Sequence, residues 1–343
     1  MRVGFLGGGL IARYHARSLS EVSGVEIAGC FDIDRERAAA FADVHGGAPA
    51  STVDDIIERS DALYVCSWTS AHPELVEAVA AAGKAIFCEK PLAVDLATAT
   101  AMTEAVERAG VINQVGLVLR RSPAFRWVRH QMNQRASGPI MNVVFRDDQY
   151  LPIQGIYGST WRIDPDRAGA GTLLEHSIHD LDLLRWMIGP IGSISARTAN
   201  HHGHDGIEDL AVVWMAAAQS KATATLTSIW HDLLERPSQR RVEVFCRDAY
   251  FAIEGDWNGP VHWEYGDTEG PGSSGSLSGR ELAEAAQGFD GGAHNPDAEF
   301  IAAVDSGTPA HPDFAVALEA HRLVDGAYRS AAGDGSPVAI GAT

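Results

Sequence analysis

The chain has 343 residues, of which 45% are hydrophobic and 21% are charged, and its formal net charge is -18 at pH 7. This length favours two domains, the composition excludes a disordered chain, and the negative charge excludes a nucleic-acid partner, because binding a phosphate backbone depends on clustered Lys and Arg. The sequence has no apolar run of the roughly 18 to 20 residues that cross a bilayer and no signal-peptide pattern, so we expect a cytoplasmic protein.

Strand-like apolar runs alternate with helical patterns through the first third of the chain. Residues 73–82 have the period of an amphipathic helix. This alternation is typical of βαβ units and predicts a parallel, doubly wound sheet. The predicted strands are 2–6, 25–31, 62–66, 84–88 and 111–116.

The stretch GGGLIA at residues 7–12 fits the pattern G-x-G-x-x-A between a predicted strand and a predicted helix. In this setting the backbone N–H groups of a helix N-terminus bind a dinucleotide pyrophosphate, and a side chain at Gly9 would block the approach. Asp32 follows the second strand, where a carboxylate binds a ribose hydroxyl. Because Asp32 repels a 2′-phosphate, NAD is preferred, while Arg35 and Arg37 leave NADP open.

The segment FCEKPLA at residues 87–93 lies at the carboxyl end of the strand 84–88. Open α/β sheets bind their ligands at this edge, so Lys90 is well placed for chemistry. Pro91 moves Lys90 out of helical geometry, and the bond between them is a candidate cis peptide. The structural alternative is a surface ion pair between Glu89 and Lys90, or a capping turn.

The rhythm changes after about residue 120, which divides the chain into predicted domains 1–120 and 121–343. A helix near 172–188 is followed by strand-like runs without intervening helices, so the second domain is expected to hold a mostly antiparallel sheet. The Gly/Ser-rich segment 270–279 predicts a mobile loop, and 297–332 predicts two helices broken at 306–309. The strand-like runs are 191–199, 208–216, 221–231 and 240–254.

The predicted helix 172–188 carries Glu175, His179, Asp182 and Trp186 on one stripe. A carboxylate and an imidazole then face one pocket, a pairing that tunes a histidine for proton transfer. The alternative is a structural histidine beside solvated acids.

A metal site is not expected. The segment NHHGHDGIED at residues 200–209 has three histidines within four residues, but it reads as a connection between strands and its spacing suits no familiar zinc pattern. The four cysteines are far apart and form no CxxC pair, which predicts buried thiols.

Three spaced motifs together resemble the Gfo/Idh/MocA family of glucose-fructose oxidoreductase and inositol dehydrogenase relatives. They are GGGLIA, the sequence Glu89-Lys90-Pro91, and the carboxylate-x-x-x-His element that ends at His179. The resemblance extends over residues 67–93, 116–123 and the C-terminal helices. It implies an α/β protein with an N-terminal Rossmann domain and a C-terminal α/β domain whose large open, mostly antiparallel sheet often serves in oligomerisation.

The resemblance also implies roles for individual residues. Lys90 is then the lysine at the nicotinamide, His179 the general base for a sugar hydroxyl, and Glu89 a neighbour of the nicotinamide ribose. Family members usually carry Asp where Glu175 stands, so Glu175 joins the catalytic set with its role open. Trp161 and Arg162 are expected to bind substrate together with Lys90, Glu175 and His179. The expected cofactor contacts are Gly7, Gly9, Leu10, Ile11, Asp32, Ser67, Trp68, His72, Glu89 and Lys90.

The sequence therefore predicts an NAD(P)-dependent oxidoreductase that transfers a hydride between nicotinamide and a sugar, inositol, related polyol or keto-sugar. The expected assembly is a homo-oligomer, a dimer or tetramer. One open alternative is an NAD-dependent enzyme that cleaves glycosides through transient oxidation of the sugar. Another is a non-catalytic NAD-binding regulator, against which the presence of both Lys90 and His179 speaks.

Overall fold

A parallel six-stranded sheet organises the start of the chain in the computed structural model, which describes residues 1–155, 158–266, 273–289 and 295–341. Residues 1–117, 166–169 and 295–319 form a first unit around this sheet, and the other described residues form a second unit. The strands of the first unit are β1 Arg2–Leu6, β2 Glu26–Phe31, β3 Ala48–Pro49, β4 Ala62–Val65, β5 Ala85–Cys88 and β6 Asn113–Val115.

The second unit contains a nine-stranded sheet. Its strands are β7 Ile140–Tyr150, β8 Ile191–Ala199, β9 Leu210–Ala217, β10 Thr223–His231, β11 Gln239–Cys246, β12 Ala249–Ile253, β13 Val261–Tyr265, β14 Ser274–Leu277 and β15 Val338–Ala339. The helices of the chain are α1 Leu10–Leu19, α2 Arg35–His45, α3 Val53–Glu58, α4 His72–Ala81, α5 Leu96–Ala109, α6 Pro123–Met132, α7 Pro165–Ala168, α8 Thr172–Glu175, α9 Ile178–Ile188, α10 Gly279–Ala286, α11 Pro296–Ser306 and α12 Phe314–Ala332.

The six-stranded sheet is buried on both faces, which explains why its strands read as continuous apolar runs. Along β4, Tyr64 packs in a cluster with Phe300 of α11, while Val65 packs in a second cluster with Phe314 of α12. The strand order is β3-β2-β1-β4-β5-β6, so the connections reverse direction between β1 and β4. Ligands of doubly wound sheets bind beside such a reversal, at the carboxyl ends of the strands.

The nine-stranded sheet is antiparallel except where β7 and β10 run parallel, in the order β14-β13-β12-β11-β7-β10-β9-β8-β15. One face carries the core of the second unit, where Val143 and Phe145 of β7 pack with Phe125 of α6 and Leu181 of α9. The predicted fold class, a Rossmann sheet followed by a mostly antiparallel sheet, is confirmed.

Three local expectations need correction. The central strand β7 was absent from the predicted runs, and the helix predicted over 172–188 is divided into α8 and α9. The segment predicted as a mobile loop contains the edge strand β14, since a Cβ at Gly275 would lie 2.3 Å from the Trp263 ring and only glycine packs there. Residues 270–272 of that segment lie outside the described residues.

Phe300 tests whether α11 belongs to the core of the first unit. Its buried ring contacts Tyr64 and Phe87 edge-on, with both centroid distances 5.6 Å. We expect Phe300→Ala to lower the free energy of unfolding by about 3–5 kcal/mol through the cavity it leaves. Val44→Ala, at a position that is 72% exposed, serves as control and should change it by less than about 0.5 kcal/mol. Denaturant titrations followed by circular dichroism measure both, and equal effects would contradict the packing.

Candidate active site

The glycine loop after β1 leaves open space at the N-terminus of α1. Gly7 has φ +101°, and a Cβ there would lie 2.7 Å from the carbonyl oxygen of Cys66, so this position requires glycine. At Gly9, the N-cap of α1, an added Cβ would meet no atom of the described chain within 4 Å. Internal packing therefore does not demand the glycine at position 9. The open space fits a phosphate group at the helix N-terminus, with the side chains of Leu10 and Ile11 exposed beside it.

Asp32, at the end of β2, is hydrogen-bonded to this loop. Its Oδ2 accepts a hydrogen bond from the Gly8 N–H at 2.9 Å, and its Oδ1 accepts one from the Asp34 N–H at 2.9 Å. The guanidinium of Arg37 lies 3.4 Å from Oδ1. The carboxylate is thus buried and has a fixed direction beside the loop. The half-exposed Arg37 balances part of its negative charge.

The loop after β4 is joined to the segment after β5 by His72. Its buried ring contacts two backbone carbonyl oxygens, with Nε2 3.2 Å from that of Ser67 and Nδ1 2.9 Å from that of Pro91. Next to it, the guanidinium of Arg167 lies over the Trp68 ring, 4.6 Å from the centroid. The imidazole of His72 therefore holds the two loops together, and Ser67 and Trp68 belong to the segment that it fixes.

Glu89 and Lys90 follow β5 directly, and the Lys90–Pro91 peptide is cis. The Glu89 carboxylate turns inward, so an added Cβ at Gly116 would lie only 2.2 Å from Oε1. The same oxygen lies 3.0 Å from Nε2 of His15. The Glu89 carboxylate therefore points toward His15 and away from the surface. The carboxylate is buried, and Lys90 stands half-buried at the carboxyl end of the strand.

His15 is a buried residue that the sequence analysis missed. Its Nδ1 lies 2.7 Å from Oδ1 of Asp297, so the ring stands between two carboxylates. Burial by itself lowers the pKa of His15, but the charges and hydrogen bonds of Asp297 and Glu89 outweigh it and raise the pKa to about 10. One signal was available, because His15 shares the buried face of α1 with Ala12 and Ala16.

In the second unit, hydroxyl groups stabilise the break between α8 and α9. The Ser228 Oγ lies 2.7 Å from Thr172 Oγ1 and 2.6 Å from Ser177 Oγ, and the Ser177 N–H bonds the Thr172 carbonyl at 2.8 Å. Such local hydrogen bonds compete with the helical pattern. The continuous stripe predicted from Glu175 to Trp186 is therefore wrong, because the helix is interrupted at residues 176–177.

Glu208 caps the start of this segment, and the sequence analysis gave it no role. Its Oε2 accepts from the Gly171 N–H at 2.8 Å, and its Oε1 accepts from the Leu173 N–H at 2.9 Å and the Tyr328 hydroxyl at 2.8 Å. A Cβ at Gly171 would lie 1.9 Å from the Glu208 carbonyl oxygen. The glycine before α8 is thus required by this close approach.

Three residues predicted to bind substrate lie together. Arg162 Nε donates to Oε1 of Glu175 at 2.6 Å, and its guanidinium lies 4.8 Å from the centroid of the Trp161 ring. Glu175 ends α8, and His179 is buried in the first turn of α9. The longer Glu side chain at position 175 is thus oriented by an arginine.

Asp182 and Trp186 anchor α9. Arg120 donates to Asp182 from Nε at 2.7 Å and from Nη2 at 2.6 Å, a bidentate and buried pair. The guanidinium groups of Arg120 and Arg129 lie 5.8 and 4.3 Å from the centroid of the Trp186 ring. These contacts fix the helix that carries His179.

A buried ionic cluster around Arg240 also escaped the sequence analysis. Arg240 donates to Asp180 at 2.9 Å, to Asp256 at 2.6 Å and to Asp147 at 3.2 Å, and His176 Nε2 lies 2.6 Å from Oδ2 of Asp147. Burial, with the charge of Asp147 next, raises the pKa of Asp180 to about 7. The acidic pair in the strand sequence RDDQY was the available signal.

The histidine-rich segment 200–209 forms local contacts, with His202 Nδ1 2.6 Å from Oδ2 of Asp209. Across the described ranges, no group of three or more His, Cys, Asp or Glu side chains is arranged to hold a metal ion.

In the same ranges, no helix has both the length and the apolar character that a bilayer crossing needs. The four cysteines are free and buried.

Two family models match the chain. The model described as the oxidoreductase family with an NAD-binding Rossmann fold (GFO_IDH_MocA) matches residues 1–117, and the GFO/IDH/MocA C-terminal domain matches residues 125–252. The chain is also 32% identical to inositol 2-dehydrogenase of Cereibacter sphaeroides, in a match that covers 64% of this chain and 64% of that enzyme.

Solved structures of similar fold cover nearly the whole chain. A putative myo-inositol dehydrogenase from Sinorhizobium meliloti is 26% identical with a TM-score of 0.78, over 99% of this chain and 100% of that one. The WlbA dehydrogenase from Bordetella pertussis, solved with NADH and UDP-GlcNAcA, is 22% identical with a TM-score of 0.85, over 100% and 98%. The second likeness concerns the fold alone.

The charge on His15 predicts a pH-dependent stability. Its pKa of about 10 exceeds the usual 6.5, so its stabilisation is complete below about pH 6.5 and is lost as the pH rises toward 10. Between pH 7 and 9.5, His15 should lower the free energy of unfolding by up to about 1.4 kcal/mol per pH unit.

Denaturant titrations across this pH range measure the effect. His15→Gln should remove this part of the slope, whereas His201→Gln, at an exposed position, should keep it. The same slope in His15→Gln and in the unmutated chain would contradict a charged His15.

Proposed function

We propose that this chain, which belongs to the GFO/IDH/MocA oxidoreductase family, is an NAD-dependent dehydrogenase of a sugar, inositol or related polyol. The observation that carries the proposal is the open space at Gly9, where the protein leaves room for a ligand at the N-terminus of α1. The substrate class is supported by the name of the relative, an inositol 2-dehydrogenase.

The first unit holds the cofactor in this proposal. When bound, NAD supplies the acceptor for a hydride. Backbone N–H groups at Gly9 and at the N-terminus of α1 bind the pyrophosphate. Gly7, whose own N–H donates to the Phe31 carbonyl oxygen at 2.8 Å, lets the loop pass close to the cofactor. Asp32 accepts a hydrogen bond from a ribose hydroxyl. Its carboxylate disfavours a 2′-phosphate, which supports NAD over NADP, although Arg37 offsets part of that charge. The remaining cofactor contacts assigned are Leu10, Ile11, Ser67, Trp68, His72, Glu89 and Lys90.

Two residues carry the proton chemistry in this proposal. His179 accepts the proton of the reacting hydroxyl, and Lys90 donates a hydrogen bond to the oxygen that becomes the carbonyl. Glu175 accepts a hydrogen bond from a neighbouring substrate hydroxyl and is kept in place by Arg162. Trp161 offers an apolar face to the sugar ring.

The assembly proposed is a homo-oligomer formed through the outer face of the nine-stranded sheet. Trp214, Thr225, Val144 and Glu243 are cross-strand neighbours on that face. Trp214 is 41% exposed and Val144 37%, and Phe245 two residues further along β11 is 41% exposed. Exposed large apolar side chains on one face of a sheet, here beside Thr225 and Glu243, support a protein interface. Four free, buried cysteines are consistent with the proposed cytoplasmic location.

Lys90 gives the most direct test of the chemistry. We expect Lys90→Ala to lower kcat by about 10²- to 10³-fold because the oxygen of the reacting group loses its donor, while NAD⁺ affinity stays within about threefold. The assay is NADH absorbance at 340 nm with a panel of inositols, aldoses and glycosides. Lys84→Ala, at a lysine before β5 that is half-buried as Lys90 is, is the matched control and should behave as the unmutated chain. Full turnover in Lys90→Ala would exclude Lys90 from catalysis.

Trp214 tests the proposed interface. Trp214→Lys places a charge among the exposed apolar side chains of this face and should weaken self-association by about 2 kcal/mol or more. Size-exclusion chromatography with light scattering reports the mass as the protein is diluted. Leu233→Lys, at a 61% exposed position in the loop after β10, is the control and should retain the assembly. A monomeric unmutated chain, or an unaffected Trp214→Lys, would argue against this face.

A further inference from the structure

His15 lies at the junction of three elements in the first unit. It stands on α1, its Nε2 lies 3.0 Å from Oε1 of Glu89 after β5, and its Nδ1 lies 2.7 Å from Oδ1 of Asp297 on α11. Phe87 and Tyr64 contact the ring, with centroid distances of 4.8 and 5.2 Å, so only 4% of the residue is exposed. Together these contacts fix the position of the ring.

The geometry requires a charged ring. Ionised carboxylates only accept hydrogen bonds, so both ring nitrogens must donate, and only the imidazolium form has two N–H groups. Other titratable groups share these surroundings, and burial raises the pKa of Tyr64, Cys66 and Cys88 well above the usual range. They stay neutral near neutral pH, which leaves His15 as the cation between the two carboxylates.

This charge determines how Glu89 is held. A charged N–H donor on a fixed ring gives a buried carboxylate both a partner and a single orientation. His15 contacts Oε1, and Gly116 lies against the same oxygen, because an added Cβ there would lie 2.2 Å from Oε1 and 3.1 Å from Oε2. The second oxygen, Oε2, therefore has a fixed direction at the carboxyl end of β5, one residue before Lys90.

We propose that His15 is a positioning residue for cofactor binding, which acts by holding the Glu89 carboxylate oriented toward the ribose next to the nicotinamide. This inference rests on the proposed NAD-dependent function. The Glu89 carboxylate accepts the hydrogen bond of a ribose hydroxyl through Oε2, and His15 touches neither cofactor nor substrate. Because α1 also carries the glycine loop at its N-terminus, one side chain couples the pyrophosphate end of the site to the segment of Glu89 and Lys90.

A double-mutant cycle on NAD⁺ affinity tests this role. The dissociation constant for NAD⁺ is measured by calorimetry for the full chain and for His15→Gln, Glu89→Gln and the double variant. We expect each single variant to bind roughly tenfold more weakly, and the double variant to bind no more weakly than Glu89→Gln, since His15 acts only through Glu89. Asp305→Asn, at an exposed acid on the same helix α11, is the matched control and should stay within about threefold.

The pH profile supplies a readout that a purely structural role would not change. From about pH 8 to about pH 10 the unmutated chain should bind NAD⁺ more weakly as the pH rises, because His15, whose pKa is raised to about 10, loses its charge. The affinity of His15→Gln should be constant over this range. Circular dichroism verifies that the variants are folded. Multiplicative effects in the cycle, or the same pH profile in His15→Gln and in the unmutated chain, would overturn the role of His15 alone. An unmutated chain that does not bind NAD⁺ would overturn the proposed function as well.

Discussion

The first unit depends on one buried cation between two carboxylates. His15 joins residues that are 74 and 282 positions away along the chain, Glu89 and Asp297. A buried carboxylate is costly unless it is paired and hydrogen-bonded, so both acids require the imidazolium that they in turn keep charged. Through this contact the glycine loop, the Glu89-Lys90-Pro91 segment and α11 are held as one arrangement, although the last of them comes from the far end of the chain.

In the second unit, several separate contacts fix the residues proposed for chemistry. Glu208 caps α8, Ser228 stabilises the break between α8 and α9, and Arg120 holds Asp182. Each of these groups fixes backbone or charge around the short segment that carries Glu175 and His179. Polar residues around this segment thus stabilise the helices, while Glu175 and His179 are the groups proposed for chemistry.

Sequence patterns predicted the parts of the structure that depend on residues close together in the chain. The alternation of apolar runs and helices predicted the parallel sheet because its strands are covered on both faces, and the glycine spacing predicted the turn after β1. The helix over 172–188 was predicted as continuous because the hydroxyl that stabilises its break, Ser228, lies 51 residues beyond Ser177. Asp297 and the Arg240 cluster were missed for the same reason, since their partners are brought together only by the fold.

Direct transfer of a hydride is the central claim, and isotopic labelling tests it most directly. Myo-inositol with deuterium on its ring carbons is incubated with the protein and NAD⁺, and the nicotinamide product is analysed by mass spectrometry. The account predicts NADH that carries one deuterium at C4 of the nicotinamide and a matching inosose. Reduced nicotinamide without deuterium, or a bound NAD⁺ that is never reduced by any polyol or sugar offered, would contradict it.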